Sequence, residues 1–163
     1  MSKKYTMKKI ILLNWVLKIF IGISILAIPI NECLRYNMSN EALTLKYKDS
    51  VFGNYSPYIM LAIIALLIIA FLNIQKGLQG FIKDGYFNFR SSERFKISGY
   101  LLLILSITML MISFLAIEKA SEIEILSDII INLLLIAIGI GLLAFSDVIK
   151  KGNVLKTEND LTV

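Results

Sequence analysis

The sequence contains no histidine and a single cysteine, Cys33. Histidine is the side chain that most often serves as a general acid or base near neutral pH, so its absence weighs against acid–base catalysis. One cysteine excludes an internal disulfide, and without histidine it also excludes the usual zinc-ligand spacings. The chain has neither a glycine-rich phosphate loop nor a Gly-x-Ser-x-Gly elbow. We therefore expect no enzymatic activity, no cofactor and no metal ion.

Charged residues are also scarce, at 18% of 163 residues, whereas 57% are hydrophobic. The apolar residues collect into four blocks, which cover about 13–34, 58–74, 97–117 and 129–146. A helix of roughly 17–25 mostly apolar residues is needed to cross a bilayer, and each block reaches that length. The sequence predicts an all-α membrane protein with four transmembrane helices. We expect residues 1–163 to form one polytopic domain, with a cytoplasmic loop at 75–96 and a cytoplasmic tail at 147–163.

The lysines and arginines alternate between the two sides of these spans. Thirteen lie in the N-terminal segment, the middle connector and the tail, whereas four lie in the two remaining connectors. Positive residues accumulate on the cytoplasmic side of membrane proteins. We therefore expect both termini in the cytoplasm and a location in the bacterial inner membrane. Attraction to anionic lipids accounts for the net charge of +5 without a nucleic-acid partner.

Four polar residues inside or at the ends of the spans are candidates for an intramembrane function: Asn14, Lys18, Asn132 and Asp147. Lys18 lies about 7 Å past the start of its span at 1.5 Å per residue. A lysine can extend its ammonium group to the interface from that depth. We therefore favour an interfacial position of the Lys18 charge over a role in a relay. Asn14 and Lys18 share a helix face, and a transporter or channel would require the four residues to converge on one cavity.

Small residues in the spans indicate close helix packing. Ala137 and Gly141 form a small-x-x-x-small pair, and Gly139 lies between them. Such pairs let helices approach closely in lipid. We expect packing within the chain rather than a dimer face, and the oligomeric state stays open.

The two segments predicted to be cytoplasmic have distinct patterns. The middle connector, QKGLQGFIKDGYFNFRSSERFK, alternates basic and aromatic residues. This pattern favours a membrane interface over a protein docking surface, and either of these over single-stranded nucleic acid. The tail is short and mixed in charge, which predicts a solvated segment, and Gly152 is predicted to end the last helix.

Both segments also carry a family resemblance. The stretch GYFNFRSSERFKISGYLL has a glycine, an aromatic pair and an asparagine, then basic residues before an Ile-x-Gly helix start. The tail follows the pattern G-x-x-L-x-x-E-x-D-L-T-V from Gly152 to Val163. Together they resemble the bacterial integral membrane family catalogued as domain of unknown function 2975. The resemblance implies a small four-span protein without an established activity, often encoded beside a small helix-turn-helix transcription regulator.

These observations lead to one favoured function and one alternative. We expect a non-enzymatic partner or sensor for a cytoplasmic helix-turn-helix regulator, with no direct binding of nucleic acid. The candidate contact residues are Phe87, Arg90, Arg94, Leu155, Glu158, Asp160, Leu161 and Thr162. The alternative is a small membrane transporter or channel that uses the four intramembrane polar residues.

Overall fold

The computed structural model describes residues 3–39, 42–43, 48, 51–117 and 122–161, and this part of the chain is helical. Its four α-helices are α1 (Lys3–Tyr36), α2 (Ser56–Asp84), α3 (Phe89–Leu115) and α4 (Glu122–Leu161), with a short 3₁₀ turn at Gly53–Tyr55. All four are long and apolar enough to cross a membrane. The prediction of an all-helical chain with four membrane-capable helices is confirmed.

The helices are longer than the apolar blocks that predicted them. Residues 75–96 are mostly helical, because α2 runs on to Asp84 and α3 begins at Phe89, so that a turn of four residues separates them. The prediction that Gly152 ends the last helix is wrong, since α4 continues through it to Leu161. A glycine inside a helix costs only about 1 kcal/mol relative to alanine, and here a neighbouring aromatic ring covers it.

Each helix packs mainly on its neighbours in the chain order. The α3–α4 and α2–α3 contacts are the most extensive, and α1 leans on α2. Along α1 the contacts include Phe20 edge-on to Phe71, with 5.4 Å between ring centroids, and Arg35 stacked 4.8 Å from the ring centroid of Tyr58. The apolar side chains of α1 are otherwise largely exposed, as expected of a helix that faces lipid.

The best-packed core lies at one end of the bundle. Leu78 and Phe81 near the end of α2, Phe95 in the second turn of α3, and Ile149 of α4 are all buried there. The ring centroids of Phe81 and Phe95 are 5.3 Å apart, and Phe145 packs edge-on against both rings. This is the end at which the middle connector and the tail meet, so the two patterned segments rest on this buried aromatic core.

A repeat of small residues sets the contact between α3 and α4. Ser92 and Ser146 are both buried, and each hydroxyl donates to the other residue's carbonyl oxygen at 2.9 Å. Gly99, seven residues after Ser92, faces Gly139, which is seven residues before Ser146. A Cβ on either glycine would lie within 3.1 Å of the other's carbonyl oxygen. Seven residues is two helical turns, so both contacts lie on one face of each antiparallel helix.

The same kind of contact joins α2 to α3. Ser91 donates to the Gly77 carbonyl oxygen at 2.8 Å, and Ser98 donates to the Ala70 carbonyl oxygen at 3.0 Å. A Cβ on Gly77 would lie 2.9 Å from the ring of Phe95, so only glycine admits that ring without displacement. Serine hydroxyls and glycines without side chains therefore bring α2 and α3 together beside the aromatic core.

The predicted packing face of α4 is only partly correct. Gly139 is buried against α3, but Ala137 and Gly141 are exposed, and no atom lies within 4 Å of a Cβ placed on Gly141. Positions two residues apart on a helix differ by about 200° in direction. Ala137 and Gly141 therefore both point away from the contact that Gly139 makes. The face of α4 that packs is therefore the one with the seven-residue spacing, not the one with the four-residue spacing.

Candidate functional site

The turn between α2 and α3 is built by its first and last residues. Gly85 has a φ of 88°, a conformation that side chains with a Cβ rarely adopt. Asn88 caps α3: its Oδ1 accepts the backbone N–H of Ser91 at 2.7 Å, and its Nδ2 donates to the Gly85 carbonyl oxygen at 2.7 Å. The glycine and the asparagine of the GYFN sequence therefore have a structural role in closing the turn.

The two aromatic residues of the turn point to different neighbours. The Tyr86 ring packs on the core, with its centroid 6.0 Å from that of Phe81. Phe87 lies directly on Gly152 of α4, where a Cβ would overlap the ring. The two segments that carried the family resemblance therefore contact each other. Gly152 of the tail leaves the space that the ring of Phe87 occupies.

The last part of α4 presents an exposed face of mixed character. From Asp147 to Leu161 the helix extends about 22 Å at 1.5 Å per residue. Val154 and Leu155 are 48% and 62% exposed there. They lie in a shallow groove along one side of the helix, which we term the α4 stripe and which is lined by Asp147, Lys150, Lys151, Val154, Leu155 and Glu158.

The remaining candidate contact residues divide between this stripe and another surface. Leu155 and Glu158 belong to the α4 stripe, and the backbone of Asp160 and Leu161 continues its helix. Thr162 lies outside the described residues. Arg90 and Arg94 lie on the far side of the turn, in a groove between α2 and α3. The candidate contact residues therefore form two surfaces at the same end of the bundle.

The groove between α2 and α3 is strongly basic. We term it the basic groove: it has a volume of about 320 Å³ and is lined by Lys76, Gln79, Gly80, Lys83, Asp84, Arg90 and Arg94. Arg94 is held in place by a hydrogen bond from its guanidinium group to the Oδ1 of Asn73 at 3.0 Å. Asn73 is itself buried and donates to the Ile69 carbonyl oxygen at 2.9 Å. Arg90 and Arg94 were predicted as contact residues from the sequence, whereas Lys76 and Lys83 were not, although their seven-residue spacing on α2 places them on one helix face.

The four intramembrane polar candidates do not come together. Lys18 and Asp147 are exposed, whereas Asn132 is buried and donates to the Asp128 carbonyl oxygen of its own helix at 2.9 Å. Asn132 and Asp147 lie on one continuous helix and are about 22 Å apart along it. Asn14 is half-buried, and its Oδ1 has no hydrogen-bond partner among the described residues.

The opposite end of the bundle has a smaller polar contact. Arg35 at the end of α1 forms an ion pair with Glu32 at 2.6 Å and stacks on the ring of Tyr58. Hydrogen bonding to Tyr58, followed by the charge of Glu32, raises the pKa of Arg35 above its usual value. At this end Ser113 also donates to the Asp128 carboxylate at 3.0 Å, which joins α3 to α4. These contacts join neighbouring helices and leave the patterned surfaces at the other end as the candidate site.

Comparison with known proteins agrees with the two motifs that meet at the turn. The model of the family described as a protein of unknown function, DUF2975, matches residues 36–163. The chain belongs to this family. The DUF2975 match begins where α1 ends, so it contains α2, α3 and α4, the three helices with the most extensive contacts. No curated protein and no solved structure matches the chain.

Proposed function

We propose that this DUF2975 chain is a multi-pass protein of the bacterial cytoplasmic membrane that binds a cytoplasmic helix-turn-helix transcription regulator. In this proposal both termini and the α2–α3 turn lie in the cytoplasm. The alternation of thirteen against four basic residues supports that orientation. The family's frequent gene neighbourhood supports the identity of the partner.

The single observation that carries the proposal is the extension of α4 beyond its apolar block. Phe87 of the turn packs on Gly152, which braces the extension against the rest of the bundle. Val154 and Leu155 remain exposed on the braced helix. An exposed apolar pair on a braced helix, surrounded by charged residues, supports the docking of an apolar face of a partner. Binding rather than catalysis is the role that this surface supports.

The orientation is tested by labelling with a membrane-impermeant maleimide. Cys33 is the only cysteine, so Cys33→Ser provides a background without thiols. In that background, Lys48→Cys in the first connector should label in spheroplasts, and Lys156→Cys in α4 should label only after the cells are opened. Both positions are exposed. Labelling of Lys156→Cys in sealed spheroplasts would overturn the proposed orientation.

The partnership is tested by co-purification of the full-length chain with the regulator encoded beside it. The variant Val154→Glu/Leu155→Glu places two charges in the α4 stripe and should lower the recovered regulator at least tenfold. Lys156→Ala/Thr157→Ala is the matched control, since both residues are exposed on the same helix outside the stripe. Failure of the unmodified chain to recover the regulator, or equal recovery by the stripe variant, would contradict the proposal.

A further inference from the structure

The basic groove between α2 and α3 brings four cationic side chains to one place. Lys76 and Lys83 are seven residues apart on α2, and Arg90 and Arg94 are four residues apart on α3. These spacings place each pair on a single helix face. A single carboxylate, Asp84, lines the groove with them. Among the described residues, no carboxylate oxygen lies within 4.0 Å of a side-chain nitrogen of any of these four cations.

The helix contacts hold the cations close together despite their repulsion. Gly77 and Gly80 have no side chains to separate α2 from α3, and Ser91 hydrogen-bonds to the Gly77 carbonyl oxygen. Asn73 fixes one N–H of Arg94. Because a guanidinium group has five N–H donors, this contact orients Arg94 and leaves donors for a further acceptor. Like charges held in this way create a site whose electrostatic complement is an anion.

The position of the groove indicates which anion it would meet. Asn73 lies at the end of the apolar block 58–74, and Arg94 lies just before the block 97–117. The groove therefore opens where the apolar surface of the helices gives way to the polar interface. Phosphates of anionic lipids lie at this depth, and basic pockets between membrane helices are suited to bind them.

We propose that the basic groove is a binding site for the phosphate headgroup of an anionic phospholipid. Arg90 and Arg94 supply planar guanidinium donors for phosphate oxygens, and Lys76 and Lys83 supply compact charges across the groove. The site depends neither on the proposed regulator nor on the orientation of the chain, because it follows from the charge and the depth of the groove. The lipid would also join α2 to α3 at their polar ends.

The test measures lipid retention by the purified full-length chain in nonionic detergent, using native mass spectrometry. Phosphatidylglycerol and phosphatidylcholine are titrated separately, and inorganic phosphate is added as a competitor. We expect saturable retention of phosphatidylglycerol, with little phosphatidylcholine retained and little competition from phosphate. Equal retention of both lipids, or displacement of phosphatidylglycerol by equimolar inorganic phosphate, would overturn the proposal.

Three variants locate the site. Lys83→Gln/Arg90→Gln removes two exposed cations from the groove and should weaken phosphatidylglycerol binding roughly 30-fold. Lys96→Gln/Lys156→Gln removes two exposed cations that do not line the groove and should retain binding within about twofold. Lys83→Arg/Arg90→Lys keeps the charge and should bind within about threefold of the unmodified chain. Equal weakening by the first two variants would show a general charge effect and overturn the assignment.

Discussion

The close approach of α3 and α4 at Gly99 predicts how the fold responds to one added methyl group. In Gly99→Ala, the new Cβ would lie 2.9 Å from the Gly139 carbonyl oxygen and 2.8 Å from Cγ of Leu143. Ordinary contacts of this kind begin at 3.4 Å, so the backbones must separate by about 0.5 Å at this point. Leu143 can change rotamer, but the carbonyl oxygen of Gly139 belongs to the helix itself and cannot move alone.

We expect the separation of the two helices to destabilise the fold by more than the alanine stabilises its helix. Overpacking of a close contact typically costs about 1–3 kcal/mol, whereas alanine gains up to about 1 kcal/mol over glycine in a helix. The Ser92–Ser146 hydrogen bonds, at 2.9 Å and two turns away, would lengthen toward the limit of useful geometry. We therefore expect Gly99→Ala to lower the free energy of unfolding by about 1–2 kcal/mol.

The assay is reversible unfolding of the purified chain in mixed micelles, with an increasing mole fraction of sodium dodecyl sulfate and detection by circular dichroism. Gly141→Ala is the matched control, because it adds the same methyl group to α4 at a position with no atom within 4 Å. The control should be unchanged or slightly more stable. An unchanged midpoint for Gly99→Ala, or an equal loss in both variants, would refute the reasoning.

Three further predictions address individual contacts. Replacing Ser92 and Ser146 together by alanine should cost about 1 kcal/mol in the same titration, because two interhelical hydrogen bonds at an average of about 0.6 kcal/mol each are lost; an unchanged midpoint would contradict this. Phe87→Ala should accelerate amide hydrogen exchange in residues 150–158 by removing the ring that rests on Gly152, with exchange in 132–140 as the internal control, and protection that stays the same would show that the extension needs no brace. Asn14→Leu should raise the free energy of unfolding in the same titration by about 1 kcal/mol, because the buried Oδ1 of Asn14 lacks a hydrogen-bond partner in the described residues. A lower free energy of unfolding would instead indicate a polar contact that forms in the membrane.

The candidate site shows how a motif can be conspicuous in sequence for a structural reason. Gly85, Asn88 and Gly152 were part of the family pattern, and each now has a role in forming the turn or receiving Phe87. The exposed residues left over, such as Leu155 and Arg90, are the ones available for binding. We therefore expect function at the surfaces that the motif holds in place rather than at the motif itself.

The sequence by itself determined the number of membrane-capable helices and their approximate centres. Transfer of a side chain into lipid depends on that residue and its near neighbours, so block length and hydrophobicity carry this information locally. The sequence predicted a connector over 75–96, whereas the structure confines the interruption to the four residues between Asp84 and Phe89. The sequence could not supply how far each helix extends beyond its apolar block: α2 and α4 continue past the ends of theirs, and α3 begins before its own.

The tertiary structure alone decided which faces meet. Gly139, rather than Ala137 or Gly141, packs on α3, and its partner Gly99 lies forty residues earlier in the chain, beyond the reach of a local pattern. The pairing of Ser92 with Ser146, 54 residues apart, likewise requires the antiparallel register of two whole helices. A local pattern shows that small residues are present, but only the three-dimensional arrangement shows which of them have a neighbour to approach.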